Sequence, residues 1–313
     1  MGASIGIDLG GTHLRAVRLG ENGALLAHAK VRTAALDGPA AVVDQICNLV
    51  RSVSEGTSGE AVGMGVCIAG PVDAEAGVVL EASTMAGWHN IPLQAWLQER
   101  TGLPVTLAND ANAAALGEWR YGVGQGCRHF VYVTVSTGIG GGVIVDGRLM
   151  LGYRGIAGEV GHMIVDRDGP RCNCGANGCW EALASGTALA HIANLAQATN
   201  PTSALHRLAH DRSLTAQDVG AAARGGDSLA VQLVHEEGVW LGIGLAGLLH
   251  LYAPQRIAVG GGLSNLLDLF MPQIMHEIRT RTMPPYREIP VVAAALGDNA
   301  GVIGAGTLAL GGW

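Results

Sequence analysis

The sequence predicts a protein of the α/β class. Short apolar runs that suit strands alternate along the chain with segments whose apolar residues recur at helical spacing. Glycine accounts for 48 of the 313 residues, roughly twice its usual share of about 7%, and many glycines directly follow a strand-like run. An apolar content of 49% with 14% charged residues argues against a disordered chain, and no collagen register is present. The glycine excess therefore indicates a compact protein with many tight turns.

The first part of the chain alternates strands and helices. The segment 39–54 places Val42 and Ile46 on one face of a helix. Asn109-Asp110 ends a strand, and either side chain can cap the alanine-rich helix that follows. The predicted strands here are 4–9, 13–19, 25–33, 61–68 and 104–108, and the predicted helices are 39–54, 92–100 and 111–121.

A second strand–turn–strand unit begins at residue 130 and echoes the first. Both units carry glycine and threonine at the tip of the turn, in 10–12 and in 136–142. This weak internal duplication suggests two related domains facing a cleft. The segment 200–213 is a polar excursion. The later predicted strands are 130–135, 143–145, 256–259 and 289–293, and the later predicted helices are 181–198, 214–220, 227–252, 266–281 and 299–310.

The charge of the chain limits its partners. A net charge of −7 argues against nucleic acid and against an anionic membrane surface. It leaves room for a small anionic ligand, because the amides of a tight turn can hold phosphate. The most apolar run, 239–253, has about 15 residues, fewer than the ~20 of a spanning helix, and predicts a buried helix. No targeting segment is visible, so we expect a cytoplasmic protein without a membrane partner.

Glycine turns at strand ends are candidate phosphate-binding loops. In Asp8-Leu9-Gly10-Gly11-Thr12 the glycine amides can point at phosphate oxygens, Thr12 can donate a hydroxyl, and Asp8 can orient Mg²⁺. The alternative is an ordinary hairpin turn, and it is the favoured interpretation of this motif taken alone. The loop 136–142, Asp73 and the run 260–262 are further candidates. Neither a P-loop nor Gly-x-Gly-x-x-Gly at the first strand is present, so a different nucleotide-binding fold is indicated.

Three cysteines form a candidate metal site. Cys172, Cys174 and Cys179 fall within eight residues, with glycines between them that let the chain wrap closely round an ion. Zinc in structural sites takes four nitrogen or sulfur ligands, and His162 is the natural fourth. The alternative is three buried thiols and a core histidine. Four protein ligands would leave no open position for catalysis, so the predicted zinc is structural.

Carboxylates near these motifs have two possible roles. Asp110 follows Asn109 at a strand end, where it is either part of a helix cap or a general base facing a ligand. Phosphoryl transfer to an alcohol needs one carboxylate to accept the hydroxyl proton. Glu159 and Glu181 flank the cysteine cluster. They are either surface charges or acceptors for substrate hydroxyls.

Six motifs follow one another in the order that a known family shows, across nearly the whole chain. They are Asp8-Leu9-Gly10-Gly11-Thr12, Asn109-Asp110-Ala111-Asn112, Thr137-Gly138-Ile139-Gly140-Gly141-Gly142, Gly158-Glu159-Val160-Gly161-His162, Cys172-x-Cys174-Gly175-x-x-Gly178-Cys179-x-Glu181 and Val259-Gly260-Gly261-Gly262. With them the chain resembles the ROK family of repressors, uncharacterised reading frames and sugar kinases. The cysteine motif is the most specific of the six.

The resemblance implies an actin/hexokinase-like (ribonuclease H-like) fold, with two α/β domains around a cleft. We expect a small N-terminal domain over 1–110 with 299–313, and a larger domain over 111–298 that holds the zinc motif. The resemblance also implies ATP and Mg²⁺ as co-substrates, a hexose as acceptor, and a homodimer or homotetramer.

Residue roles also come from the resemblance. Asp110 would be the base that acts on a sugar hydroxyl, usually the 6-hydroxyl, and Asp8 would belong to the ATP and Mg²⁺ site. The sugar contacts would be Asn109, Glu159, His162 and Glu181. The phosphate contacts would be Gly10, Gly11, Thr12, Thr137 and Gly138, with Gly260 and Gly261 near the adenosine. The zinc ligands would be His162, Cys172, Cys174 and Cys179.

Departures from the family pattern bear on the substrate. Ser136 stands where the second phosphate loop usually has glycine, Ala69 replaces the first proline of a Pro-Gly-Pro, and Ser83-Thr84 replaces Pro-Asn of glucokinases. Glucose is the first expected substrate. N-acetylmannosamine or N-acetylglucosamine is the alternative, followed by allose or fructose. A non-catalytic sugar sensor is a further alternative, and a repressor would need a helix–turn–helix before the first phosphate loop.

Overall fold

The computed structural model describes residues 2–55, 59–82 and 84–313. Strands and helices alternate along this part of the chain. The strands are β1 (Ala3–Leu9), β2 (His13–Gly20), β3 (Leu25–Arg32), β4 (Ala61–Ile68), β5 (Val72–Asp73), β6 (Val78–Glu81), β7 (His89–Ile91), β8 (Val105–Asn109), β9 (Phe130–Val135), β10 (Ile139–Val145), β11 (Arg148–Leu149), β12 (Arg256–Gly260) and β13 (Val291–Ala293). The helices are α1 (Pro39–Ser54), α2 (Leu93–Thr101), α3 (Asp110–Tyr121), α4 (Trp180–Ala184), α5 (Gly186–Ala196), α6 (Ala204–Ala209), α7 (Ala216–Arg224), α8 (Ser228–Tyr252), α9 (Leu267–Arg281) and α10 (Ala300–Leu310).

The contacts divide the chain into two units. Unit 1 contains Met1–Tyr132, Gly142–Gly158 and Ala295–Trp313, and unit 2 contains Val133–Gly141 and Glu159–Ala294. The predicted boundary after residue 110 differs from this division, because α3 packs on α10 and therefore belongs with unit 1. The predicted domains over 1–110 with 299–313 and over 111–298 stay a prediction.

Unit 1 contains a five-stranded sheet in the order β3-β2-β1-β4-β8. The hairpin strands β2 and β3 run antiparallel, whereas β4 and β8 continue parallel to β1. In the register Asp8 is paired with Cys67, and Ile68 is paired with Asn109. Since the carboxyl ends of parallel strands meet at one edge of a sheet, Asp8 and Asn109 lie at the same edge.

The two faces of this sheet are buried in different ways. One face carries Ile5 and Ile7, which join Val42 and Ile46 of α1 in the main apolar core of unit 1. The other face is covered by α10, which approaches the strands so closely that a Cβ on Gly65 would overlap the carbonyl oxygen of Ala305. Glycine is therefore required where α10 meets the sheet.

Unit 2 is dominated by helices. The long helix α8 packs on α7 and α9 and buries the Trp180 side chain of α4, whose indole Nε1 donates to the Trp240 carbonyl oxygen at 2.8 Å. The second sheet has the order β11-β10-β9-β12-β13, and the division into units passes within β9 and β10.

A short antiparallel sheet, β5-β6-β7, lies in unit 1.

Several predicted elements differ from the structure. The helix expected over 181–198 is two helices, because Ser185 adopts an extended conformation and its side chain caps α5 by accepting from the Ala188 amide. The excursion 200–213 contains α6, which Ser203 caps. The short β5-β6-β7 sheet was not predicted, since its strands of two to four residues carry no clear periodicity.

The prediction of an α/β class with an actin/hexokinase-like fold is confirmed. The helix predicted over 39–54 matches α1. Residues 239–252 of the apolar run form the last part of α8, which is largely buried apart from its end, where Leu251 is 65% exposed. In the part of the chain that the structure describes, none of the helices combines the length and the apolar character that crossing a membrane requires.

Candidate active site and metal centre

Asn109 and Asp110 take different places at the carboxyl edge of the first sheet. Asn109 caps α3, since its Oδ1 accepts from the Ala111 amide at 2.8 Å, and its Nδ2 donates to the Gly70 carbonyl at 3.1 Å. Asp110 is the first residue of the helix and is half-buried. The amino end of a helix stabilises a carboxylate. The cap alternative is therefore realised mainly by Asn109, and Asp110 Oδ1 accepts from the same Ala111 amide at 2.9 Å.

Asp8 is the second carboxylate at this edge. The Cys67 thiol donates to its Oδ1 at 3.6 Å and also approaches the Gly301 carbonyl at 3.5 Å. Burial raises the pKa of Asp8, and the positive charge of Arg15 partly offsets that effect. Burial raises the pKa of Cys67 well above its usual range, so this side chain stays a neutral S–H donor. A half-buried carboxylate without a full counter-charge suits Mg²⁺, which prefers oxygen ligands.

The first glycine loop is the tip of the β1–β2 hairpin. The Gly10 amide donates to the His13 carbonyl at 3.0 Å, and Thr33 holds the Gly10 carbonyl by a 2.6 Å hydrogen bond. Among the described residues, the amides of Gly11 and Thr12 have no acceptor. The loop is thus a hairpin turn, as the simpler alternative predicts, and it also presents two amides to a ligand.

The second glycine loop lies in unit 2 and is held by two contacts. The Ser136 amide donates to the Gly138 carbonyl at 2.9 Å, and the Ser136 carbonyl accepts from Gly186 at 2.7 Å. A pocket of about 450 Å³ opens beside the loop. Ser136 and Thr137 line this pocket together with Gly262. Gly260 ends β12, and Gly261 follows at a φ of 82°.

The pocket also contains residues that no sequence motif indicates. Thr187 and His191 come from α5, and Gln217 comes from α7. The sequence does not indicate these residues as part of a site, because polar residues on an amphipathic helix ordinarily face solvent. Only the break at Ser185 and the approach of Gly186 to Ser136 bring α5 to the loop.

The four predicted zinc ligands lie together in unit 2. Their ligand atoms are all within 4.8 Å of one another, with 3.8 Å between Cys172 Sγ and His162 Nδ1 and 3.5 Å between Cys174 Sγ and Cys179 Sγ. A tetrahedral zinc with Zn–S bonds of about 2.3 Å separates two sulfur ligands by about 3.8 Å. The donor set and its spacing therefore fit a structural zinc ion.

The backbone of the cysteine segment forms a tight knuckle around these ligands. The Cys172 amide donates to the Ala176 carbonyl at 2.8 Å, and the Gly175 amide donates back to Cys172 at 3.0 Å. Gly178 has a φ of 72°, and a Cβ there would overlap the Asp166 carbonyl oxygen. The glycine of this motif is thus required for the turn that brings Cys179 back to Cys172.

The thiols also show why this cluster suits a cation. Burial raises the pKa of Cys179 to about 12 and raises the pKa of Cys172, whereas the backbone amide of Ala176 lowers the pKa of Cys174. Buried thiols become thiolates when a divalent ion supplies the opposing charge.

Glu181 joins the metal cluster to the second glycine loop. Its Oε2 accepts from the Ile139 amide at 2.9 Å, and its Oε1 lies 3.9 Å from Cys172 Sγ. Glu159 lies beside the second ring nitrogen of His162, with 4.0 Å between Glu159 Oε2 and His162 Nε2. The structure therefore brings Glu159, His162 and Glu181 together in unit 2. His162 directs Nδ1 to the cysteines and Nε2 away from them.

Comparison with known proteins agrees with these motifs. The ROK family model matches residues 4–311. A glucokinase of Thermotoga maritima is 36% identical over 306 residues, which cover 97% of this chain and 96% of that protein. A ROK family glucokinase of Streptomyces griseus, solved in complex with glucose and AMPPNP, has 39% identity and a TM-score of 0.83, covering 98% of this chain and 99% of that one. A ROK hexokinase of Thermus thermophilus has 33% identity and a TM-score of 0.83, covering 97% and 96%. The chain belongs to the ROK family.

Proposed function

We propose that this protein is an ATP-dependent sugar kinase that transfers the γ-phosphoryl group of ATP to a hexose hydroxyl, with glucose as the first substrate. The observation that carries the proposal is a half-buried carboxylate, Asp110, at the edge of the sheet that also holds Asp8 and the first glycine loop. Its support is the full-length similarity to a glucokinase and to a glucokinase solved with glucose and AMPPNP.

In this proposal Asp110 is the general base. It accepts the proton of the sugar hydroxyl, usually that of the 6-position, while the hydroxyl oxygen bonds to the γ-phosphorus and the bond from that phosphorus to the bridging oxygen of ADP breaks. Asn109 is held by Ala111 and Gly70, so its remaining amide hydrogen can donate to a sugar oxygen. Glu159, His162 and Glu181 would accept hydrogen bonds from, or donate them to, the sugar hydroxyls.

The phosphate groups of ATP would be held by loop amides. Gly10, Gly11 and Thr12 form one cradle, and Thr137 and Gly138 form another. Asp8 would hold Mg²⁺, which neutralises charge on the transferred phosphoryl group. The pocket of about 450 Å³ beside Thr137 suits the adenosine, with Gly262 in its wall and Gly260 and Gly261 directly before it in the chain.

The zinc ion would have a structural role in this enzyme. His162, Cys172, Cys174 and Cys179 would fill its four positions, so no ligand position remains for substrate. Its contribution is the rigidity of the segment that carries Glu181. Assembly as a homodimer or homotetramer and a cytoplasmic location remain expectations from the family resemblance.

The identity of the sugar is tested by measuring ADP release with a panel of hexoses. We expect the highest kcat/KM for glucose, and the comparison sugars are N-acetylmannosamine, N-acetylglucosamine, mannose, allose and fructose. A higher value for an N-acetylhexosamine would move the assignment to that substrate. No ADP release with any sugar would contradict a kinase and favour a sensor.

Ser83-Thr84 is the departure from the family pattern that bears on glucose. Thr84 packs against Gly11, whereas its neighbour Ser83 lies outside the described residues.

A further inference from the structure

A second pocket lies in unit 1 and is distinct from the sites above. It has a volume of about 350 Å³ and lies between the β2–β3 hairpin and the start of α10. Arg15, His28 and Lys30 line it from the hairpin, and Asp298 and Val302 line it from the α10 side. The first glycine loop does not contribute to its walls.

The strand register explains why the basic side chains meet here. Residues directly opposite each other in antiparallel strands point to the same face of the sheet. Arg15 lies opposite Asp8 on β1 and opposite Lys30 on β3, and Val17 lies opposite His28. The other face of the hairpin carries Leu14 and Ala16 of the α1 core together with the buried Arg18. One face of the hairpin therefore concentrates basic groups in a chain whose net charge is −7.

The protein itself leaves these basic groups largely unneutralised. In the described part of the chain, the side chains of Lys30 and His28 have neither a hydrogen-bond nor an ion-pair partner. Arg15 donates from Nη1 to the Asp298 carbonyl at 2.6 Å, which occupies one of its N–H groups. Two carboxylates lie near these groups. Asp298 is exposed at the pocket wall, and Asp8, which contacts Cys67, partly offsets the charge of Arg15 alone.

We propose that this pocket binds a small phosphate-bearing anion. The Lys30 ammonium and the Arg15 guanidinium flank the phosphate, and charge-assisted hydrogen bonds of this kind are the stronger class. Val17 and Val302 offer an apolar wall for an organic group attached to the phosphate. A volume of about 350 Å³ suits a monophosphate of a small metabolite, because drug-sized ligand sites begin at about 300 Å³.

Isothermal titration calorimetry of the full chain tests the site with two ligands, inorganic phosphate and glucose 6-phosphate. Saturating AMPPNP, Mg²⁺ and glucose are present, so that the proposed catalytic site is filled before the titration. The variant is Lys30→Gln, and Lys30→Arg keeps the charge. The matched control is Arg32→Gln, because Arg32 is on the same strand and face but does not line the pocket.

We expect Lys30→Gln to weaken binding by about tenfold, the usual scale for losing a hydrogen bond to a charged group. Lys30→Arg keeps most of the affinity, and Arg32→Gln leaves it unchanged. Tighter binding of glucose 6-phosphate than of inorganic phosphate would show that the organic group contacts the apolar wall. Equal binding would show that the site recognises the phosphate group alone.

Three results would overturn the site. They are no heat from the unaltered protein with either ligand, an unchanged affinity for Lys30→Gln, and an equal loss for Arg32→Gln, which would reveal only general attraction to a basic surface. Circular dichroism verifies that each variant is folded. The proposal does not depend on kinase turnover, so a failed ADP-release assay leaves its own test intact.

Discussion

At the scale of single residues, the pair Asn109-Asp110 shows how far a motif can be interpreted. The sequence predicts both a helix cap and a general base but does not assign them. In the structure Asn109 is the cap residue, through its 2.8 Å hydrogen bond from Ala111, and Asp110 accepts from the same amide at 2.9 Å. The link between Glu181 and the Ile139 amide could not be predicted, because the two residues are 42 positions apart and neither lies in a motif that requires the other.

The substitution Asp110→Asn tests the proposed base. We expect kcat to fall by about 10²- to 10⁴-fold, since the amide cannot accept the hydroxyl proton, while glucose binding is retained. Steady-state ADP release measures kcat, and calorimetry measures the binding of glucose. Asp37→Asn is the control, because Asp37 is an exposed carboxylate in the same unit. Near-normal turnover of Asp110→Asn would remove the base assignment.

At the scale of elements, periodicity predicts long amphipathic segments well and short or interrupted ones poorly. The helix over 39–54 was predicted with its observed ends because its apolar spacing and its leading proline agree. The helix over 181–198 was not, because the break depends on Gly186 meeting Ser136, a tertiary contact. The knuckle of the cysteine motif was predictable, since its ligands and glycines are local in sequence.

The metal centre predicts a stoichiometry. We expect about one zinc per purified chain, because the four clustered donors complete a tetrahedral site. Elemental analysis measures the zinc content. We expect Cys174→Ser to lower the zinc content, and Cys127→Ser, outside the cluster, to leave it unchanged. A zinc content below ~0.2 per chain after gentle purification, with full activity, would exclude a required zinc ion.

The packing of α10 predicts a large difference between two glycine substitutions. A Cβ on Gly304 would overlap backbone atoms of Ala113, whereas a Cβ on Gly247 meets nothing within 4 Å. Gly304→Ala therefore lowers the stability by about 2 kcal/mol or more through overpacking. Gly247→Ala raises it by up to about 1 kcal/mol, since alanine favours a helix. Thermal unfolding compares the two Tm values, and equal shifts would refute the close contact of α10 with α3.

At the scale of the whole molecule, the glycine excess has two structural origins. Some glycines form turns at strand ends, as the sequence predicts, and others lie where helix backbones touch. Gly65 and Gly304 are of the second kind. The glycine content of the sequence alone does not distinguish such contact glycines from glycines in turns. The α/β class was predictable from alternation, but the division into units was not, because α3 joins unit 1 through a helix distant in sequence.

Unit 1 is discontinuous, and this has a consequence for synthesis on the ribosome. Its sheet is complete once β8 has emerged, yet α10, which covers one face of that sheet, lies near the end of the chain. At about 5–20 residues per second, the roughly 190 residues between β8 and α10 take about 10–40 seconds to translate. Throughout that interval the nascent sheet lacks Val302 and Ile303 of α10, which later pack against Val17 and Leu19. The last helix thus acts as the closing step of a domain begun by the first strand.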